Sequence, residues 1–177
     1  MAVTGNGSNR LIQRQGGAMA GLFWITPEVV YLGAPPSTTL AAVLLRAEEV
    51  QAVGPAEGQW PWQDIESVAV SEAPVKSTTG RRLAKAFEVV WAPQSPYEMT
   101  VTIETTDGTR TEVLVHSAAA TAYTAREVEL SHHLLSLFVE GRLTPRVLID
   151  WLLNTQISRN PGPDAREALL QSWTEIP

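Results

Sequence analysis

Between residues 99 and 139 the apolar positions change their period, and that change organises the chain. Met99, Val101 and Ile103 alternate with Thr100, Thr102 and Glu104, the pattern of a strand with one buried face and one wet face. Residues 110–116 predict the return strand, and the run Val113-Leu114-Val115 predicts cover on both of its faces. The joining Asp107-Gly108 pair tolerates the positive φ of a tight hairpin. From Thr124 the period becomes helical. Thr124 and Glu127 have the spacing of a capping box, and Val128, Leu130, Leu134, Leu135, Phe138 and Val139 share one wide face. Gly141 stands where a left-handed residue ends a helix, and Arg142 suits the negative end of the helix dipole. A helix this apolar needs a surface to lie on, and the hairpin before it is the natural one.

Upstream the same reading gives short strands. Residues 18–25 and 29–33 predict two strands around Thr26-Pro27-Glu28. Residues 37–53 support two assignments: Leu40, Ala41, Ala42, Leu44 and Leu45 favour helix by propensity, while residues 42–45 and 50–53 serve equally as strands. We favour strands separated by a turn. Residues 54–58 read as a loop, residues 65–70 as a strand with Val68 and Val70 on one face, and residues 71–83 as an exposed loop. Phe87, Val89 and Trp91 alternate within a further strand over residues 86–92. After Gly141, Thr144-Pro145 opens a helix carrying Val147, Leu148, Trp151, Leu152 and Ile157. Pro161-Gly162-Pro163 stops it, and Asp164 with Glu167 caps a last short helix carrying Ala168, Leu169 and Trp173. Residues 1–17, rich in Gly, Asn and Gln, predict a flexible arm. The expected order is therefore roughly seven short strands followed by two or three helices.

Composition narrows the function. With 44% hydrophobic and 18% charged residues in 177, the chain has the make-up of one globular domain with an appendage. The formal net charge of −6 gives no general attraction for a polyanion, so no nucleic-acid partner is expected. There is no cysteine, which removes disulfides, thiolate nucleophiles and zinc–thiolate sites together. Arg supplies most of the basic residues and Ala is abundant, a composition suggestive of a GC-rich bacterial genome. The apolar stretch at 18–25 is far shorter than the roughly 20 residues a membrane span requires. Arg10 and Arg14 imitate the charged part of a signal peptide, but Pro27-Glu28 interrupts the run and no small-x-small cleavage site follows. A cytoplasmic protein is expected.

Two stretches carry a resemblance. Leu22-Phe-Trp-Ile-Thr-Pro-Glu-Val-Val-Tyr-Leu32 resembles the opening hairpin of bacterial pleckstrin-homology-like (PH-like) and GRAM-type domains, and Trp60-Pro-Trp-Gln-Asp-Ile-Glu-Ser-Val68 is similar to their entry into a middle strand. Over about residues 18–140 the resemblance implies an α+β fold: a PH-like barrel of about seven antiparallel strands capped by a C-terminal amphipathic helix. It implies a binding or scaffolding role and no cofactor. The extra helices after residue 143 depart from the pattern. The expected organisation is a flexible arm (1–17), a barrel with its capping helix (18–141) and a helical tail (142–177).

Catalytic motifs are weak. Glu129, His132 and His133 share a helix, and His116 lies on the return strand, but adjacent helical residues point about 100° apart and do not ligate one ion comfortably. There is no G-x-S-x-G elbow, and Gly5-Asn-Gly7 and Gly16-Gly17 lack the context of a phosphate loop. Three surfaces remain as binding candidates. Lys76, Arg81, Arg82 and Lys85 lie in a stretch free of acids from Glu72 to Glu88; it reads either as a solvated loop or as a contact for anionic lipid at the inner membrane face. Trp60 and Trp62 straddle a proline and read either as strand-entry packing or as an aromatic platform. Leu148, Trp151 and Leu152, with Val147, form a stripe that either covers the domain's own flank or docks on another protein or a second copy. The expectation is a non-enzymatic protein–protein adaptor; the alternative is a peripheral binder of anionic membrane or phosphate groups.

Overall fold

A computed structural model describes residues 16–76, 97–155 and 160–175. The first half folds into a six-stranded antiparallel meander: β1 (Ala18–Ala20), β2 (Phe23–Ile25), β3 (Val30–Leu32), β4 (Ala42–Leu45), β5 (Glu49–Val53) and β6 (Gly58–Pro61). A 3-10 turn over Trp62–Asp64 leads into a three-stranded antiparallel sheet of β7 (Ile65–Ser71), β8 (Glu98–Thr105) and β9 (Arg110–His116). Three helices follow: α1 (Ala125–Val139), α2 (Arg146–Asn154) and α3 (Pro163–Thr174). The fold is thus α+β with antiparallel sheets, as expected. Nine strands form among the described residues, in two ladders that do not close into a barrel. Residues 1–15 of the expected arm (1–17) and the expected strand at 86–92, with Trp91, lie outside the described residues, as do residues 156–159 with Ile157.

The strand count differs for local reasons. The stretch 18–25 reverses at Gly21, whose φ of 55° is open to glycine at little cost. A Cβ there would also lie 2.3 Å from the Ser131 hydroxyl of α1. The reversal leaves Ala20 opposite Phe23. Residues 58–61, within the stretch expected as loop and strand entry, pair with β5 as a strand. The ambiguous 37–53 region forms β4 and β5. In the hairpin between β8 and β9 only Gly108 takes a positive φ. Its N–H donates to the Thr105 carbonyl at 2.8 Å, making a loop closed by one left-handed glycine. The Asp107 carboxylate accepts from the Thr105 hydroxyl (2.6 Å) and the Thr109 N–H (2.8 Å), which holds its carboxyl below the usual carboxylate range.

The two sheets meet at a corner. Gly33, with φ 87°, presses against β9 so closely that a Cβ would sit 2.4 Å from the His116 carbonyl. The Ala34 N–H donates to that carbonyl at 2.8 Å, and Ala41 bridges Val115 in parallel. Helix α1 packs along β7 and the 3-10 turn, burying Leu130, Leu134, Leu135, Leu137 and Phe138. The Phe138 ring lies edge-on to Phe23 of the first sheet (6.3 Å between centroids) and tilted against Trp62 (6.1 Å). Each aromatic contact of this kind adds about 0.5–1.5 kcal/mol beyond its buried area.

The capping box forms as expected. Thr124 Oγ1 accepts from the Glu127 N–H (3.0 Å), and Glu127 Oε2 accepts from the Thr124 N–H (2.8 Å). Glu127 is also fully buried, because α3 lies across it. Its Oε1 pairs with Arg166 Nε of α3, while Arg166 Nη1 donates to the Pro161 carbonyl at 2.9 Å. Thr124 Oγ1 donates to Glu167, and Arg126 to Gln171 (2.7 Å). The tail is therefore packed on the body. Leu148, Leu152, Leu170 and Trp173 are buried, and Trp151 meets Trp173 edge-on at 5.6 Å.

Removing one member of a buried ion pair leaves the other uncompensated, at about 3–5 kcal/mol, whereas replacing both is far less costly. Arg166→Met is therefore expected to lower unfolding stability by about that amount. Adding Glu127→Gln to Arg166→Met should restore most of the loss in denaturant titrations.

Candidate interaction surface

Each sheet edge is guarded. Register alternation turns every second residue of an edge strand outward. On β1 the outward Met19 N–H donates to Asn160 Oδ1 at 3.2 Å. On β7 the Val70 N–H donates to His132 Nε2 at 3.0 Å; His132 Nδ1 lies 3.0 Å from the Val128 carbonyl. A proton on Nδ1 satisfies both contacts, so this ring ties α1 to the sheet edge. On β6 the Trp62 N–H donates to the Glu48 carbonyl (3.2 Å), which places Gln59 and Pro61 as the outward pair. Pro61 has no N–H to offer an added strand. On β9 the outward His116 carbonyl is taken by Ala34, and Arg110 and Glu112 pair at 2.8 Å further along that edge. Charges, prolines and helix cover of this kind blunt strand addition.

A sheet face is less guarded. Registry places Met19, Trp24, Tyr31, Leu44 and Gln51 in one row across β1 to β5, on the side opposite Phe23, Leu32 and Val43 of the main core. Val29, Ala42 and Leu44 make a second apolar cluster on that side, with Tyr31 and Val53 packed against it. Tyr31 and Trp24 are half-buried. The outward face of a one-sided antiparallel sheet is ordinarily polar, and none of these residues is charged. Trp24 lies in this row by register and is packed, half-buried, against the main core. The signal was present in Ala42-Val-Leu-Leu45, an apolar run without alternation, which predicts cover on both faces.

The sequence candidates fall elsewhere. Trp62 donates its indole N–H to the Arg46 carbonyl at 2.8 Å and faces Phe138; the Trp60 ring lies over Gly58. Both pack against the core margin, which is the strand-entry role. Leu148 and Leu152 are buried beneath α2, and Trp151 is half-buried. That stripe covers the chain's own flank. Lys76 is exposed, with its N–H on the Tyr123 carbonyl at 2.9 Å, whereas Arg81, Arg82 and Lys85 lie outside the described residues. Among the described residues no three His, Asp or Glu side chains gather as a metal site, and no helix is long and apolar enough to cross a membrane. The His116 Nδ1 is buried without a hydrogen-bond partner among them.

Compared with models of protein families, with curated proteins and with solved structures, the chain finds no match. The PH-like resemblance thus rests on the two stretches that carry it.

The loop 117–123 is built around a buried hydroxyl. The Tyr123 oxygen accepts from the Ser117 hydroxyl (3.0 Å), the Ala118 N–H (3.1 Å) and the Ala119 N–H (3.3 Å). Burial pushes the Tyr123 phenol up from its ordinary value of 10.0, against those donors, which favour the phenolate. A raised folded-state pKa contributes stability that is full below the unfolded value and is lost as pH rises through the folded one. Phenolate absorbance should show Tyr123 ionising above pH 10.0, with stability falling over the same interval. Tyr123→Phe should remove that late titration and cost about 1–3 kcal/mol through the stranded N–H donors.

Proposed function

We propose that this chain is a non-enzymatic protein-interaction module of PH-like build, working in a bacterial cytoplasm. The observation that carries the reading is the apolar row on the outer face of the six-stranded sheet. Within that row Met19 and Leu44 are buried and Trp24 and Tyr31 half-buried, and apolar residues set together on the side of a sheet away from its main core mark surfaces that other proteins cover. Trp and Tyr are also the side chains that most often anchor such contacts. Two further observations support it. The buried polar groups of Glu127, Ser131 and Tyr123 and the half-buried His132 ring are committed to capping, docking or loop-building hydrogen bonds. The order of antiparallel strands followed by an amphipathic helix is the coarse α+β layout from which the PH-like reading starts, here without a closed barrel.

The partner in this reading meets a face, since the edges are blunted and the tail's stripe lies against the body. Tyr31→Glu places a charge in the row at a half-buried position, against the Val29–Ala42–Leu44 cluster and on the side opposite the main core. It should abolish capture of a stoichiometric partner by tagged full-length protein at moderate salt while leaving thermal unfolding within a few degrees of the parent. Capture unchanged by Tyr31→Glu but lost on Trp151→Asp, with the fold retained, would return the contact to the tail.

A further inference from the structure

We propose that the cleft between the loop 117–123, Lys76 and the start of α3 binds a small organic anion, with a carboxylate or phosphate head and a short apolar body. The cleft holds about 360 Å³ and is half enclosed, within the size range of small-ligand sites. Its polar lining is Lys76, Thr121, Asn160 and Arg166, and no carboxylate among the described residues lines it. In a chain of net charge −6, a concavity with two cations and no acid among its described lining residues favours an anion.

The donors are placed for an anion. Arg166 is only 7% exposed yet lines the cleft. A guanidinium carries five N–H donors; Nε is given to Glu127 and Nη1 to the Pro161 carbonyl, which leaves Nη2 to serve a ligand. Asn160 spends its Oδ1 on the Met19 N–H, so its amide nitrogen is the free end. Lys76 is tethered through its main chain to Tyr123, at the end of the same loop. That loop is shaped in advance by the Tyr123 hydroxyl, which limits the ordering cost of binding. Its alanines, with Met19 and Pro163, supply an apolar wall for the ligand's body. Asp164 and Glu167 follow on α3 but do not line the cleft, and Glu127 is held behind Arg166.

Sodium phosphate and sodium butyrate, each titrated at constant ionic strength against chloride into full-length isotope-labelled protein, provide the test. Amide resonances of Ala120, Thr121, Ala122 and Asn160 should shift saturably with at least one of the two. Phosphate alone would identify the head as decisive, and butyrate alone the apolar wall. Lys76→Glu, at an exposed position, should keep the fold and weaken the response about tenfold or more, as expected for loss of a charge-assisted contact. Shifts matched by chloride, absent with both anions, or unchanged in Lys76→Glu would overturn the proposal.

Discussion

A single buried carboxylate joins α1 to the tail helix α3, 39 positions further along the chain. Glu127 caps α1 through the Thr124 N–H, and the same side chain anchors Arg166 of α3. A carboxylate fully removed from water is tolerated only when its charge is matched and its oxygens are hydrogen-bonded; here both conditions are met by two elements at once. One turn further along α1, Ser131 accepts from the Leu22 N–H at 3.1 Å and donates to the Glu127 carbonyl at 2.6 Å. The amino-terminal half of α1 is thus a polar junction for the β1–β2 turn and the tail. Its carboxy-terminal half, through Phe138, is an apolar wedge between the sheet and the corner.

The division explains why the tail is part of the domain. Arg166 neutralises Glu127, while Leu170 and Trp173 bury beside it, so α3 supplies charge balance and apolar cover together. It also blocks the β1 side, where Asn160 takes the Met19 N–H. With β7 guarded by His132 and β6 ending in Pro61, the sheets offer few unpaired backbone groups to another chain. The half-buried apolar face carrying Tyr31 and Trp24 is where the proposed partner contact lies.

Local signals were legible in the sequence. The hairpin around Asp107-Gly108, the capping box at Thr124 and the apolar face of α1 each depend on residues close together and form as read, but the cover expected on both faces of the return strand does not, since Leu114 is exposed while Val113 and Val115 are buried. The reversal at Gly21 was hidden because Ala20, Gly21 and Leu22 continue an apolar stretch without a polar turn residue. The fate of the tail was equally hidden. Nothing near Arg166 announces a partner 39 positions earlier, and an amphipathic stripe looks the same whether it covers its own chain or another's. The outer face left a signal that was not used: the run at 42–45 lacks alternation, but which residues shared a row required the register.

The most direct test of the account is native-state hydrogen exchange across α3. If the Glu127–Arg166 junction makes the tail integral, the amides of residues 167–173 will exchange only through the same global opening as β8, with a matching free energy and denaturant dependence. Exchange of those amides through a separate, low-energy opening, with β8 still protected, would show an appended tail and contradict it.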